Sequence, residues 1–206
     1  MTQILLFGDS VVYGAWDLEG GWAHRLRKLL DEIVIKSNYK EYYLVYNLGI
    51  DGDTSEGLLK RFEQEAKPRI SPDEEIIFIF HIGDNDSLFN NKTKKHLVSP
   101  EDYEKNVREI ISKAKRYSKK IIFIGSYPND ETKVDPVPWV ENCSYKNKYL
   151  SQFRDIGNKV CMETKCYFIN LNKHLEANKW IKHLPDGVHA DTEGYEKTFK
   201  IKSRII

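Results

Sequence analysis

The side chains best suited to chemistry in this 206-residue sequence are concentrated in four short polar segments. The segments are Gly8-Asp9-Ser10, Asp51-Gly52-Asp53-Thr54, Gly83-Asp84-Asn85-Asp86 and Asp186-Gly187-Val188-His189. Aspartate and glycine are common in loops, so no single segment is informative. Together, however, they contain what acyl transfer by a serine requires: a nucleophile, a base, a group that orients the base, and donors for an oxyanion.

The nucleophile, the base and the orienting group have one candidate residue each, and the oxyanion donors have two. Ser10 can be the nucleophile, because a strand-to-helix turn exposes a side chain beside backbone N–H groups. His189 can be the base, and Asp186, three residues earlier, can bond the other imidazole nitrogen. Gly52 offers an unobstructed backbone N–H because it has no Cβ, and Asn85 offers a neutral amide donor. The simpler alternative is that Ser10 only begins a helix and that His189 follows an ordinary surface turn.

The segment FIFHIGDNDSLF, residues 78–89, also contains candidate metal ligands. His81, Asp84 and Asp86 would have to converge, but their spacing matches no regular ligand pattern. An EF-hand loop is excluded, because Phe89 and Lys95 occupy its glycine and final glutamate positions. We therefore predict no metal in this segment.

The functional residue of the same segment is expected to be Asn85, rather than the carboxylates on either side. His81 lies in a predicted strand and is expected to be a hydrogen-bonded structural histidine. Asp86 is expected to fix the loop that follows Asn85.

Five apolar runs precede or separate the polar segments. They cover residues 3–8, 42–49, 75–83, 120–126 and 166–171. The first, third, fourth and fifth are apolar nearly throughout, which is typical of strands buried on both faces of a parallel sheet. Between the runs, apolar residues recur at helical spacing, and Ser99-Pro100 is typical of a helix start. The alternation predicts an α/β sandwich whose polar segments meet at the carboxyl edge of the sheet.

Taken in order, the four segments resemble the sequence blocks of the SGNH (GDSL-type) hydrolases and span residues 7 to 189. The matching residues are FGDS with Ser10, NLGIDGDTS with Gly52, GDND with Asn85, and DGVH with Asp186 and His189. GGW at 20–22, SPEDYEKN at 99–106 and YKNKYL at 145–150 resemble further segments of the family.

This resemblance implies a flavodoxin-like, three-layer α/β/α fold with a five-stranded parallel sheet in the order 2-1-3-4-5. It also implies hydrolysis of carboxylic esters or thioesters without a cofactor, with Ser10, Asp186 and His189 as the catalytic triad. The oxyanion hole would comprise the Ser10 N–H, the Gly52 N–H and the Asn85 amide. Asp9 and Asp86 flank these positions and are expected to support them.

Two positions depart from the usual family pattern. Asp84 stands where a small or hydroxyl residue is common, and Ala190 follows the histidine where proline is common. A side chain of Asp84 that points inward would disfavour anionic substrates or an oxyanion. One that points outward would cap the following helix.

Composition limits the remaining possibilities. We predict a single domain over residues 1–206. The charges nearly balance, with 32 basic and 31 acidic residues, so we expect neither nucleic acid nor an anionic membrane as a partner. No apolar run has the length of a membrane span, and the N-terminus does not resemble a secretory signal. Three cysteines match no zinc or redox motif, which favours reduced thiols and a cytoplasmic location.

The predicted function is therefore that of a serine hydrolase acting on a small-molecule ester. An acyltransferase would use the same triad, and a non-catalytic binding domain on the same fold is a further alternative. The long polar segments 87–98 and 127–143 flank the predicted site and favour a small or polar ester, such as an acetylated carbohydrate. A lysophospholipase-like activity also fits. Trp139 and Trp180 are expected to serve packing and loop structure rather than substrate binding, with a substrate contact as the alternative because they lie near the predicted site. The oligomeric state is not predicted.

Overall fold

All five apolar runs form strands of one parallel sheet in the structure, a computed structural model that describes residues 1–203. The strands are β1 (Thr2–Gly8), β2 (Tyr43–Gly49), β3 (Glu75–His81), β4 (Phe89–Asn90), β5 (Lys95–His96), β6 (Lys120–Gly125), β7 (Cys143–Ser144) and β8 (Tyr167–Asn170). The main sheet has the order β2-β1-β3-β6-β8 with parallel neighbours. Counted by apolar run, this is the predicted order 2-1-3-4-5, which is confirmed.

The helices follow the predicted alternation. They are α1 (Ser10–Tyr13), α2 (Gly21–Lys36), α3 (Ser55–Ala66), α4 (Pro100–Ala114), α5 (Glu131–Val134), α6 (Asn147–Thr164), α7 (Ala177–Trp180) and α8 (Thr192–Lys202). The predicted helix start at Ser99 is confirmed, since its side chain accepts a hydrogen bond from the Asp102 amide. The sequence also predicts a last helix from Thr192 to the end of the chain; α8 begins at Thr192 and ends at Lys202, and residues 204–206 lie outside the described part.

The sheet is buried on both faces by helices, which makes three layers. Leu5 and Phe7 of β1 belong to one core cluster, with α3, α4 and α6, whereas Ile4 and Leu6 belong to the other, with α2 and α8. This alternation arises because successive side chains of a strand point to opposite faces. Since residues 4 to 7 are at most 2% exposed, β1 forms a rigid base for the turn that follows it.

A second, small antiparallel sheet has the order β5-β4-β7 and lies beyond the carboxyl end of β3. It draws together the segments 87–98 and 127–143, which the sequence had indicated only as polar loops. Its strands are two residues long, too short to show a periodic pattern. A separate apolar cluster accompanies it, comprising Leu88, Val134, Val137, Cys143, Tyr145 and Val188.

Two further features concern the helices and the cysteines. Within residues 1–203, none of the helices is long and apolar enough to cross a membrane. Cys143, Cys161 and Cys166 are all free thiols.

Candidate functional site

Ser10 is the first residue of α1, directly after β1. Asp9 caps this short helix, because its Oδ1 accepts a hydrogen bond of 3.0 Å from the Val11 amide. α1 lies close to the end of β2, and a Cβ at Gly49 would lie 2.2 Å from the Tyr13 nitrogen. Only glycine permits this approach. The turn therefore places the Ser10 side chain at the carboxyl edge of the sheet, as predicted.

Ser10, His189 and Asp186 form a continuous hydrogen-bonded line. The His189 Nε2 lies 2.8 Å from the Ser10 Oγ, and its Nδ1 lies 2.6 Å from the Asp186 Oδ2. The other carboxylate oxygen of Asp186 accepts the backbone N–H groups of Val188 and His189, at 2.9 and 2.8 Å. Burial raises the pKa of Asp186, but the hydrogen bonds from the imidazole and these amides outweigh it and lower the pKa to about 2. Asp186 is therefore an anion that orients the ring.

The loop that carries Asp186 and His189 is held against the 127–143 segment. The Asp130 amide donates to the Gly187 carbonyl at 2.9 Å, and the Lys133 ammonium donates to the Leu184 carbonyl at 2.7 Å. Gly187 has a φ of +95°, which a residue with a side chain rarely adopts. These contacts fix the loop independently of the Ser10 turn.

Trp16 lies next to the His189–Asp186 pair. Its indole Nε1 is 2.9 Å from the His189 Nδ1, and the two rings are nearly perpendicular, at 87°. An Nδ1 that donates its hydrogen to Asp186 has no in-plane lone pair for the indole N–H. The shorter bond to a carboxylate is the stronger one, so we interpret the Trp16 contact as packing that covers the edge of the pair.

Gly52 occupies a tight turn between β2 and α3. Its φ is +72°, and a Cβ built on it would meet no atom within 4 Å. Glycine is therefore favoured here by the left-handed backbone conformation and not by a lack of space for a side chain. Arg61 of α3 secures the turn by donating to the Asp53 carboxylate at 2.8 Å and to the carbonyls of Gly8 and Leu48.

Asn85 is held at both ends of its amide group. Its Nδ2 donates to the Asp53 carbonyl at 2.9 Å, and its Oδ1 accepts from the Tyr145 hydroxyl at 2.7 Å. Because the Asp53 carbonyl can only accept, the end of the amide that contacts it must be the nitrogen, and one N–H hydrogen remains free to donate. Tyr145 is only 5% exposed. Tyr145 begins the segment YKNKYL, but nothing near it in the sequence indicates Asn85 as its partner, so its role could not be predicted.

Asp86 fixes the adjoining loop, as expected. Its carboxylate accepts the Ser55 amide at 3.0 and 3.1 Å and also the Ser55 hydroxyl, so it anchors the first residue of α3. Burial raises the pKa of Asp86 to about 6, although the bonds from Ser55 oppose the shift.

Asp9, Asp84 and His81 lie buried beneath the site. Asp84 is 5% exposed, so its side chain points inward and caps no helix. Burial raises its pKa to about 6, and burial together with Asp84 raises the pKa of Asp9. The expectation for His81 was wrong in part: it is buried, but within residues 1–203 neither ring nitrogen has a hydrogen-bond partner, and desolvation lowers its pKa. In the same part of the chain, no group of three or more ligating side chains is arranged for a metal ion.

A cavity of about 630 Å³ opens beside the triad. Its lining residues are Trp16, Asp51, Trp139, Pro185, Asp186 and His189. The expectation for Trp180 is confirmed, since it is 2% exposed. Trp139, in contrast, does not pack in the core: its side chain is 51% exposed and lines the cavity, which is consistent with the alternative of a substrate contact. Its surroundings depend on how the 127–143 segment folds, which the local sequence does not indicate.

Comparison with known proteins identifies the family of the chain. The sequence model of the GDSL-like Lipase/Acylhydrolase family matches residues 6–197, and the chain belongs to that family. A search of curated proteins finds no match.

Solved structures of the same fold include hydrolases of different description. The chain is similar to a lipase/acylhydrolase from Enterococcus faecalis, with a TM-score of 0.76 and 21% identity, covering 100% of this chain and 95% of the other. It is also similar to Axe2, an acetylxylan esterase from Geobacillus stearothermophilus, with a TM-score of 0.72 and 20% identity, covering 98% and 92%. Two further Axe2 structures are described as catalytic mutants, in which a serine or a histidine is replaced by alanine.

Proposed function

We propose that this protein is a serine esterase that hydrolyses carboxylic esters through Ser10, His189 and Asp186. The observation that carries the proposal is the hydrogen-bonded line from the Ser10 Oγ through the imidazole to the Asp186 carboxylate, at 2.8 and 2.6 Å. Both distances are within the reach that a nucleophile and its base require. The family membership and the serine and histidine variants of Axe2 are consistent with these roles.

In the acylation step, the Ser10 Oγ attacks the carbonyl carbon of the ester while its proton passes to the His189 Nε2. Asp186 holds the Nδ1–H and stabilises the imidazolium that forms. Because the pKa of Asp186 is about 2, the carboxylate remains ionised at neutral pH and does not take the proton itself.

Charge then develops on the carbonyl oxygen, and three donors are suited to it: the Asn85 amide and the backbone N–H groups of Ser10 and Gly52. Asn85 has one free N–H hydrogen. Hydrogen bonds in the described chain leave the amides of Ser10 and Gly52 without an acceptor. Donors positioned before the reaction stabilise the oxyanion without having to reorganise. The tetrahedral intermediate collapses when the leaving alcohol takes the proton from His189, and water then repeats the path to release the acid.

The first test is hydrolysis of p-nitrophenyl esters from acetate to palmitate by the wild type and by Ser10→Ala. We expect activity in the wild type and its loss in Ser10→Ala, with the chain-length optimum indicating the size of the acyl pocket. Equal rates in the two proteins would reject Ser10 as the nucleophile. If neither protein hydrolyses any of the esters, labelling by a fluorophosphonate tests whether Ser10 is an activated nucleophile. An activated Ser10 reacts with this reagent, and an inactive one does not.

A further inference from the structure

The four tryptophans of the chain fall into two groups. Trp22 and Trp180 are buried, at 0% and 2% exposure, and belong to the core. Trp16 and Trp139 are 68% and 51% exposed, although they are separated by more than a hundred residues in the sequence. Both line the cavity that contains His189. Two large indoles exposed at the same cavity indicate a binding surface rather than incidental exposure.

Trp16 is held by a backbone that is already unfavourable for its residue type. Its φ is +65°, a left-handed conformation that is rare for a bulky residue and persists only when its surroundings enforce it. The next residue, Asp17, supplies that constraint. Its buried carboxylate accepts the Gly21 amide at 2.9 Å and the Thr192 hydroxyl at 2.8 Å, and it pairs with Arg25. The indole is therefore presented to the cavity by a fixed turn.

Trp139 lies in a loop whose two ends are joined by a hydrogen bond. The Val137 amide donates to the Cys143 carbonyl at 2.8 Å, and both side chains belong to the small apolar cluster. The rest of that cluster includes Val188, next to His189. The loop is thus packed against the segment that carries the catalytic base, which limits how far Trp139 can move from the cavity.

The part of the ester that lies here follows from the proposed reaction. The leaving oxygen must lie within hydrogen-bond reach of the His189 Nε2, since it takes its proton there. A cavity lined by His189, Asp186 and Pro185 is therefore where the alcohol part of the ester extends.

The lining combines flat apolar surfaces with carboxylates. Indole faces pack well against the C–H face of a sugar ring, and a carboxylate accepts hydrogen bonds from hydroxyl groups. Asp51 is exposed, and in residues 1–203 its side chain has no hydrogen-bond partner. A hydrocarbon chain in this place would desolvate Asp51 and Asp186 without offering either of them a donor, which is costly.

From these features we propose that the cavity binds the alcohol part of the substrate as a carbohydrate ring, packed on Trp16 and Trp139 with hydroxyl groups on Asp51. The substrate class would then be acylated sugars. This inference rests on the proposed esterase function, because that function places the leaving alcohol at the His189 imidazole.

The test compares two acetate esters that differ only in the alcohol: methyl 6-O-acetylglucoside, whose other hydroxyl groups are free, and p-nitrophenyl acetate. Variants are Trp139→Ala, Trp139→Phe and, as a matched control, Tyr167→Ala, an aromatic residue that is 69% exposed at the amino end of β8. In Trp139→Ala we expect kcat/KM for the sugar ester to fall about 10-fold more than for the phenyl ester, mainly through KM. Trp139→Phe should recover part of the loss, and Tyr167→Ala should leave the ratio unchanged.

A second measurement does not depend on turnover. Methyl glucoside, which is not an ester, is titrated into Ser10→Ala while tryptophan fluorescence is recorded. A saturable change that is lost when Trp139→Ala is added supports the cavity as a sugar site even if no ester is hydrolysed. An unchanged ratio of the two acetates in Trp139→Ala, together with no saturable change in fluorescence, overturns the sugar site. Loss of p-nitrophenyl acetate hydrolysis in Ser10→Ala would still uphold the esterase function in that case.

Discussion

The two sides of Ser10 are constructed differently. On the side of the base, Asp186 and His189 lie three residues apart on one loop and bond each other directly, so that only the bond to Ser10 joins distant parts of the chain. On the other side, the candidate oxyanion donors come from separate loops. Gly52 follows β2, Asn85 follows β3, and the tyrosine that orients Asn85 precedes α6.

This difference has a consequence for how each side responds to substitution. In the proposed reaction, every member of the base side takes part in one proton transfer, so we expect removal of any one to stop the reaction. The oxyanion side is a network in which Arg61, Asp53 and Tyr145 share the task of holding two donors. Losses there should be smaller and graded by distance from the reacting oxygen.

The largest effect is expected on the base side. Ser10→Ala and His189→Ala should each lower kcat by at least about 10⁴-fold, and the double variant should be little slower than either, because the residues act as one unit. Steady-state kinetics with p-nitrophenyl acetate measures all three proteins, and circular dichroism confirms that they are folded. Losses that multiply in the double variant would show that the two residues do not work together.

A smaller effect is expected from the direct donor on the oxyanion side. Asn85→Ala should lower kcat by about 10²-fold, the usual cost of removing one oxyanion donor, and change KM little. The reason is that the bond strengthens only as negative charge develops. An effect confined to KM would place Asn85 in ground-state binding and remove it from the oxyanion hole.

Tyr145→Phe tests the residue that holds Asn85, which does not itself contact the reacting oxygen. Without the hydroxyl, the Asn85 amide loses the hydrogen bond that holds its oxygen, and we expect kcat to fall about 5-fold, the equivalent of one net hydrogen bond of about 1 kcal/mol. Tyr127→Phe is the matched control, since the Tyr127 side chain is equally buried and its hydroxyl has no partner in residues 1–203. Equal losses in both variants would attribute the effect to packing rather than to orientation of Asn85.

The smallest effect on turnover is expected at Asp84, beneath both sides. Because burial raises its folded-state pKa to about 6, the folded chain binds this proton more tightly than the unfolded chain does. The stability linked to this proton is therefore present at low pH and is lost as the pH rises from about 4 to about 6. Asp84→Asn removes the buried charge and should raise Tm by about 3 °C at pH 8 but not at pH 4.

Thermal unfolding followed at the two pH values measures this difference. Asp73→Asn, at an exposed carboxylate, should leave Tm unchanged at both. A lower Tm of Asp84→Asn at pH 8 would mean that the ionised carboxylate of Asp84 stabilises the fold, for example through its neighbour His81, whose Nε2 is 4.0 Å away.

The sequence by itself determined the strands and the edge at which the site lies, whereas the order of the strands was implied by the resemblance to the SGNH hydrolases. Apolar runs as continuous as that of β3 are stable only when both faces are covered, and parallel strands bring the loops after β1, β2 and β3 to one edge. Ser10, Gly52 and Asn85 could therefore be assigned to the same edge before any distance was known. His189 and Asp186 could be paired because a separation of three residues allows a turn to join them.

Only the tertiary structure decided the groups whose partners are distant in the sequence. Asn85 and Tyr145 are 60 residues apart, and Trp16 and Trp139 share a cavity only because the 127–143 segment packs on the loop of His189. The inward direction of Asp84 and the unpartnered ring of His81 likewise depend on what the core places around them. Local patterns report which residues share a strand or a turn, whereas these contacts are set by long-range packing, which no short stretch of sequence specifies.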